Sequence, residues 1–291
     1  MPLRDILLQM TSYPERTPPW ALEYACLVAN QFDARLSSIL CHILTPEVGN
    51  WTADKLVGVS EIIKQNNAKS RQNATKLMED LSALVDEQRR GDQLLIDCNL
   101  AVRPGEVARR ARFYDLTIVP AHPEVEYVPI AEATVFESGR PMLLLPETDP
   151  EGEQINSVAI GWDGSRAAAR ALADALSFCA MAETVSLLQV TGEKEIGSSG
   201  SLGDIQRHLA THGINAEVEK VPAAGRDAGS VLMDYCSKNG FDMLVIGAFG
   251  HSRFREFLFG GATRSVLDNP SLAVLLSHLM TQMASRFAGW S

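Results

Sequence analysis

Residues 240–248 read Gly-Phe-Asp-Met-Leu-Val-Ile-Gly-Ala, and residues 113–121 read Phe-Tyr-Asp-Leu-Thr-Ile-Val-Pro-Ala. In both stretches an aspartate precedes a mainly apolar run that does not alternate with polar residues. Such a run is typical of a parallel strand that has helices on both faces. Because the same order of residue types occurs twice, the sequence predicts two similar units in one chain.

Further matches extend this repeat over the whole chain, whose 291 residues suit two domains of ordinary size. A polar stretch with two prolines and a glycine, Pro146–Gln154, is typical of a linker. We therefore predict domains at residues 1–147 and 154–279, followed by a C-terminal tail at 280–291. The other matching segments are Ile6–Leu8 with Val158–Ile160, Arg35–His42 with Glu183–Gln189, and Pro141–Leu145 with Leu272–Leu276.

Strand-like runs alternate with helical patterns in both halves, which predicts an α/β fold. Each domain is expected to be Rossmann-like, with a doubly wound, mostly parallel five-stranded sheet. In the first half a long second helix is predicted from Ser60 to Arg90 and is expected to end at Gly91. The second-half strands are predicted at Ser157–Gly161, Val185–Val190, Met243–Ile246 and Ala273–Leu276. The second-half helices are predicted at Arg166–Ala180 behind a Ser165 cap, Asp227–Lys238 before Asn239-Gly240, and Ala262–Asp268.

Four glycines lie at the carboxyl end of one predicted strand and at the start of the last helix. Gly247 and Gly250 follow the strand, whereas Gly260 and Gly261 precede the helix. Ligands of doubly wound sheets bind beyond the carboxyl ends of the strands, and helix N-termini offer free N–H groups to anions. The glycines therefore fit a phosphate site. They fit chain turns equally well, because a bare G-x-x-G is a weak signal.

The glycine spacing and a second motif together carry a resemblance to a known family. Gly247-x-x-Gly250, nine residues and Gly260, combined with Trp162-Asp163-Gly164-Ser165, resemble the universal stress protein family. ATP-binding members of that family use G-x-x-G-x9-G-(Ser/Thr). The similarity covers essentially the whole chain, strongly in the second half and weakly in the first. It implies two tandem universal stress protein domains packed as a pseudo-dimer.

This resemblance implies one adenine-nucleotide site in the second domain, for ATP (or ADP or AMP), with Mg²⁺ as a candidate companion. Asp163 would contact the adenosine. Gly261 departs from the family, whose ATP binders carry Ser or Thr there, and the missing hydroxyl bond predicts binding weaker by about 1–2 kcal/mol. The adenine pocket would be lined by Gly161, Val190 and Ile246, and the ribose and phosphates would be surrounded by Gly247, Gly250, Gly260, Gly261 and Ala262.

Several side chains near this site have alternative interpretations. Asp163 is also a candidate cap for the helix that follows it. His251 could steer phosphate, although charged or polar loop residues are more often simply solvated. Thr263 would replace the missing hydroxyl only if the loop were rearranged. His208 and His212 lie one helical turn apart without further ligands, so we expect surface residues there and not a zinc site.

The first half lacks the nucleotide motif. Pro120-Ala-His-Pro123 stands where the second half has Gly247-Ala-Phe-Gly250, which removes two backbone donors. Thr11 stands where the second half has Asp163. We therefore expect the first domain to keep the fold, to bind no nucleotide and to serve a structural or regulatory role.

Composition limits the remaining function classes. The five cysteines are scattered singly with no C-x-x-C, so we predict buried thiols and neither a disulfide framework nor a zinc site. A formal net charge of −10 argues against a general nucleic-acid surface. No apolar run approaches the roughly 20 residues needed to cross a bilayer, and residues 1–10 do not resemble a signal peptide. These features favour a cytoplasmic location.

The favoured function is a stress-response module that binds an adenine nucleotide and an unidentified protein partner. We expect no enzyme activity, because no catalytic constellation is recognisable. The alternatives are a ligand-free interaction scaffold of the same fold and a slow ATPase. The pseudo-dimer places Met142–Leu145 beside Ala273–Leu276, and a homodimer of whole chains stays open.

Overall fold

The computed structural model describes residues 3–46, 59–148, 154–192, 202–248 and 261–279. Strands and helices alternate in both halves, as predicted. The first half contains β1 (Asp5–Thr11), α1 (Pro19–Gln31), β2 (Arg35–Leu44), α2 (Val59–Leu84), β3 (Arg90–Asn99), α3 (Pro104–Ala111), β4 (Leu116–Pro120), α4 (Val128–Glu137) and β5 (Met142–Leu145). The second half contains β6 (Ser157–Gly161), α5 (Arg166–Cys179), β7 (Thr184–Thr191), α6 (Leu202–Thr211), β8 (Ala216–Pro222), α7 (Ala228–Lys238), β9 (Met243–Gly247), α8 (Gly261–Asp268) and β10 (Ala273–Ser277).

All ten strands form one continuous sheet in the order β3-β2-β1-β4-β5-β10-β9-β6-β7-β8. Within each half every neighbouring pair is parallel, whereas β5 and β10 pair antiparallel at the junction, with Leu143 opposite Leu275. Counted from the outer edge to the centre, the order is β3-β2-β1-β4-β5 in the first half and β8-β7-β6-β9-β10 in the second. Corresponding strands of the two halves therefore occupy corresponding places. The predicted adjacency of Met142–Leu145 and Ala273–Leu276 is confirmed.

The sheet has a hydrophobic core on each face, and successive apolar residues of the inner strands pack alternately into the two cores. Ile6 and Leu8 of β1 pack on one face of the sheet, whereas Leu7 packs on the other. β6 divides in the same way, since Val158 and Ile160 share the first core and Ala159 lies in the second. Both faces of the inner strands are covered, which explains why their sequences do not alternate with polar residues.

The helix cap predicted at Ser165 is present, and Asp227, predicted as the first residue of a helix, instead caps one that begins at Ala228. The Ser165 hydroxyl accepts a hydrogen bond of 3.0 Å from the Ala168 N–H at the start of α5. The Asp227 carboxylate accepts one of 3.0 Å from the Ser230 N–H at the start of α7. Each bond satisfies an N–H that has no partner within the helix, so these two residues fix where the helices begin.

The repeat extends to individual hydrogen bonds. One carboxylate oxygen of Asp115 accepts the N–H groups of Arg4 and Asp5 at 2.8 and 3.1 Å. In the same way, Asp242 accepts the N–H groups of Asn156 and Ser157, both at 2.8 Å. These aspartates tie the start of the first strand of each half to the strand beside it, β1 to β4 and β6 to β9.

One helix boundary differs from the prediction. Helix α2 ends at Leu84, a short 3-10 turn follows at Glu87–Arg89, and Gly91 lies inside strand β3. The prediction that the helix reaches Arg90 and ends at Gly91 is wrong. A Cβ atom on Gly91 would lie only 2.1 Å from Ser37 Oγ, so this glycine allows β3 to approach β2 closely.

Contacts between the halves extend beyond the β5–β10 ladder. The rings of Phe32 on α1 and Phe178 on α5 meet edge to face with centroids 4.7 Å apart. The Tyr127 hydroxyl, beside α4, donates to the Leu267 carbonyl oxygen in α8 at 2.6 Å. Helices on both faces therefore connect the two units. None of the helices within the described ranges is long and apolar enough to cross a membrane.

Candidate functional site

The predicted pocket for an adenine base lies where β6 ends next to β7 and β9. Gly161 is the last residue of β6 and pairs with Leu188, two residues before Val190 on β7. A Cβ atom on Gly161 would lie 3.0 Å from Leu232 Cδ1 and 3.1 Å from Ile246 Cγ2. The structure thus brings Gly161 and Ile246 together, and Val190 lies on the adjacent strand.

Leu232, on α7, is a lining residue that the sequence analysis did not name. Its side chain and that of Ile246 are both buried, and they lie beside the position where Gly161 has no side chain. The periodic apolar face of the helix Asp227–Lys238 was the only sequence signal for it. The end of β6 therefore has an apolar surface formed with a neighbouring strand and a helix, and such a surface suits contact with a flat aromatic base.

Asp163 lies in the turn that connects β6 with α5. Its Oδ1 atom accepts a hydrogen bond of 2.9 Å from the Ser165 N–H, and the side chain is exposed. The helix itself is capped by Ser165 and not by Asp163. Within the described residues Oδ2 of Asp163 accepts no hydrogen bond, so this oxygen is available to a ligand.

Gly247 lies at the carboxyl end of β9, where packing requires a glycine. A Cβ atom there would lie 2.4 Å from the carbonyl carbon of Ala167 and 2.5 Å from the Ala168 nitrogen. The first turn of α5 therefore crosses directly over the strand end. Since this contact is backbone to backbone, it explains Gly247 without a ligand, and it also places the N-terminus of α5 at the predicted site.

A second close approach joins α7 with α8. A Cβ atom on Gly229 would lie 2.0 Å from the Ala262 carbonyl oxygen. Burial alone would raise the pKa of Asp227, but hydrogen bonds from Ser230 and Ser265 lower it below the ordinary value. The starts of α7 and α8 are therefore held against each other, an arrangement that sequence reasoning missed because it depends on contact between distant residues.

Of the remaining predicted site residues, three lie in the first turn of α8 and three lie outside the described residues. Gly261 is exposed in the first turn of α8 and has open space around it, because a Cβ atom there would meet nothing within 4 Å. Ala262 is half-buried, whereas Thr263 is buried in the helix packing. Gly250, His251 and Gly260 lie outside the described residues.

No cluster of three or more His, Cys, Asp or Glu side chains that could hold a metal ion occurs in the part of the chain that the structure describes. His208 and His212, which the sequence analysis treated as surface residues, have ring centroids 5.0 Å apart at the end of α6.

The corresponding position in the first half is filled. Gln9 is the fifth residue of the β1–β2 ladder, as Gly161 is of the β6–β7 ladder. Its side chain is buried and donates to the Met10 carbonyl oxygen at 3.1 Å. Pro120 and Thr11 stand at the positions of Gly247 and Asp163, as predicted. Gln9 is a further difference that the sequence analysis did not identify.

Comparisons with known proteins agree with this architecture. The universal stress protein family model matches residues 155–278. A universal stress protein of Synechocystis sp. is 27% identical over 138 residues, which are 47% of this chain and 46% of that protein. The match therefore spans about half the length of this relative.

Solved structures resemble the fold of both halves together. A universal stress protein from Archaeoglobus fulgidus has a TM-score of 0.66 at 12% identity, covering 94% of this chain and 98% of its own. A structure from Pseudomonas aeruginosa has a TM-score of 0.57 at 16% identity, covering 95% of this chain and 93% of its own. At these identities the likeness concerns the fold alone.

Proposed function

Since the universal stress protein family model matches residues 155–278, we propose that the chain is a member of this family and that its second domain binds one adenine nucleotide as a stress-response module. The observation that supports this proposal best is the apolar strand end at Gly161, which carries no side chain. Leu232 and Ile246 flank the missing side chain there, whereas Gln9 fills the matching position of the first half.

The polar surroundings suit a nucleotide attached to such a base. Asp163 offers a carboxylate oxygen at the end of β6, in reach of ribose hydroxyls. The N-terminal turn of α8, with Gly261 exposed, presents N–H groups and the positive end of the helix dipole to phosphate. ATP, ADP and AMP share the base and ribose, and Mg²⁺ would be bound through the phosphates.

The decisive experiment is mass analysis of small molecules released from heat-denatured purified protein, followed by calorimetric titration with ATP and Mg²⁺. We expect an adenine nucleotide, or binding with at most one site per chain and an affinity of about micromolar or weaker. Protein that is empty and ignores ATP, ADP and AMP would overturn the proposal. Two equivalent sites would contradict the role given to Gln9 and Pro120.

A ligand-free scaffold is the second candidate, and two observations favour it. Packing alone explains Gly247, and Gly261 lacks the hydroxyl that the family's ATP binders carry. In that case both domains would serve pairing and recognition of a protein partner. The same titration separates the candidates, because a scaffold gives no heat of nucleotide binding.

We propose binding without turnover, in the cytoplasm, and with no role for nucleic acid or membrane. An ATPase assay tests the first statement. Two results together would show that the chain is a slow ATPase. Phosphate would be released well above the rate in protein-free buffer, and Gly161→Gln would abolish this release. Size-exclusion chromatography with light scattering tests whether whole chains also form a homodimer.

A further inference from the structure

Two cysteines that lie far apart in sequence meet at the carboxyl ends of β2 and β3. Cys41 pairs with Ile96 and Cys98 pairs with Ile43, so the cysteines are diagonal neighbours on one face of the sheet. Both are fully buried, and each thiol is close enough to shift the pKa of the other. The predicted buried, free thiols are confirmed for all five cysteines. The spacing of the cysteines in the sequence did not show that these two lie close together.

The surroundings of this pair differ from those of the other cysteines. The backbone N–H of Arg103, the residue that precedes α3, lowers the pKa of both thiols. The neighbouring Cys41 thiol is the main cause that lowers the pKa of Cys98 to about 7, and the Arg103 N–H and charge add to it. Burial and the nearby Asp97 oppose this shift. The pKa of Cys41 is raised by the neighbouring Cys98 thiol and by burial.

The other three cysteines behave as ordinary buried thiols. Burial raises the pKa of Cys26, Cys179 and Cys236 to about 12 in each case. At neutral pH these thiols hold their protons, and the thiolate is the reactive form. The chain therefore contains one polar, paired thiol site and three inert thiols that serve as internal controls.

We propose that Cys41 and Cys98 are a redox-active pair that a hydroperoxide converts reversibly into a disulfide. The Cys98 thiolate attacks the peroxide, the O–O bond breaks, and Cys98 becomes a sulfenic acid while hydroxide leaves. Cys41 then attacks the sulfenic sulfur, the S–S bond forms, and water leaves. The hydroxide takes up the proton that Cys98 released on ionising, so hydrogen peroxide and two thiols give one disulfide and two waters.

Closing this disulfide requires a local movement. A disulfide needs Cα atoms no more than about 7 Å apart, and diagonal neighbours in a sheet are separated by about that distance or slightly more. β3 is an outer strand and, within the described residues, pairs only with β2. The carboxyl end of β3 must therefore slide along β2 to close the bond, and this movement disturbs no second neighbouring strand. A disulfide formed in this way is strained, and strained disulfides are reduced readily.

The site belongs to the first half alone and does not depend on nucleotide binding. Cys41 is the seventh residue counted from Arg35 on β2, and Val190 is the seventh from Thr184 on β7. The first half thus has the Cys41 thiol at the position where the second half has Val190, a predicted lining residue of the adenine pocket. This gives the domain that keeps the fold without the nucleotide motif a chemistry of its own.

The test treats the full chain with hydrogen peroxide, alkylates the remaining thiols after denaturation, and maps cysteine peptides under non-reducing conditions. We expect one cross-link joining the peptides of Cys41 and Cys98, lost on treatment with dithiothreitol, while circular dichroism shows a folded protein. Cys236→Ser is the matched control and should leave the cross-link unchanged.

Two variants assign the roles. Cys41→Ser should stop oxidation of Cys98 at the sulfenic acid, which a dimedone probe labels, and Cys98→Ser should leave Cys41 unmodified. Since the unaltered chain alone reveals the cross-link, the test does not depend on either variant folding. Recovery of both thiols free from folded, peroxide-treated protein would overturn the proposal. Cross-links that appear only together with unfolding, or that join other cysteines equally, would overturn it as well.

Discussion

The two halves of this chain share strand order, register and strand-start hydrogen bonds, yet they differ at one edge of the sheet. In the second half Gly161 brings no side chain to the strand end beside Leu232 and Ile246, whereas in the first half the buried Gln9 side chain occupies the matching position. The strands themselves need neither residue to form. The difference teaches that the fold is specified by the apolar runs and the aspartates before them, and that the capacity for a ligand is decided by a few positions at the strand ends.

The largest expected effect is a loss of stability on substituting Gly229, the second residue of α7, compared with Gly105, the second residue of α3. Gly229→Ala places a Cβ atom 2.0 Å from the Ala262 carbonyl oxygen, whereas the nearest atom to a Cβ on Gly105 is 3.8 Å away. We expect Gly229→Ala to lower the free energy of unfolding by about 3 kcal/mol. Gly105→Ala should change it by no more than about 1 kcal/mol. Urea unfolding of both variants measures the contrast, and equal effects would show that α7 and α8 can move apart freely.

The next effect compares the two aspartates at the strand starts. Asp242 accepts bonds from the N–H groups of Asn156 and Ser157 and from the Ser157 hydroxyl, whereas Asp115 accepts two N–H bonds only. Asp242→Ala should cost about 2 kcal/mol of unfolding free energy, and Asp115→Ala about 1 kcal/mol, because unpartnered donors remain. The same urea experiments apply. A larger loss for Asp115→Ala would mean that the first half governs the stability of the sheet.

Nucleotide binding gives a third test of the contrast. Gly161→Gln places at the end of β6 the glutamine that the first half has at position 9. We expect the affinity for ATP to fall at least about tenfold, or ~1.4 kcal/mol. Gln9→Gly is the matched control, since it opens the first half without supplying the rest of a site. Calorimetry should show unchanged stoichiometry for it. Normal binding by a folded Gly161→Gln protein would place the base elsewhere.

The smallest expected effect sharpens the comparison with the family's ATP binders. Gly261→Ser restores the hydroxyl at the start of α8, where an added side chain meets no atom within 4 Å. We expect the affinity for ATP to rise by up to about tenfold, since a hydrogen bond to a charged group contributes about 1.5 kcal/mol or more. Gly261→Ala, which adds a Cβ without a hydroxyl, is the control. Equal affinities of the two variants would exclude a phosphate contact by this side chain.

The sequence predicted the features that depend on local pattern. The apolar runs located the inner strands and the Ser165 cap located one helix start, whereas the family resemblance implied the pairing of β5 with β10. The outermost strands β3 and β8 were not located, because they are half-exposed and their apolar residues are sparse. The misplaced end of α2 follows from the same cause.

The candidate site was predictable only in part, because its walls depend on contacts between distant residues. The glycine spacing and the family resemblance pointed to Gly161, Ile246 and Gly247. Nothing local to Gln9 shows that it fills the matching position, and nothing local to Gly229 shows that another helix crosses it. The meeting of Cys41 with Cys98 likewise depends on the register of β3, which the sequence alone did not give.

The antiparallel junction of β5 and β10 has a consequence for how such a protein can change over time. In a dimer of two identical chains, any substitution appears in both subunits at once, so a side chain that occupies the strand end of one subunit occupies that of the other. Here the two units are joined in one polypeptide and meet at Leu143 and Leu275 as subunits would. A glutamine at position 9 therefore leaves position 161 untouched, and each half can acquire its own chemistry while the shared sheet keeps them together.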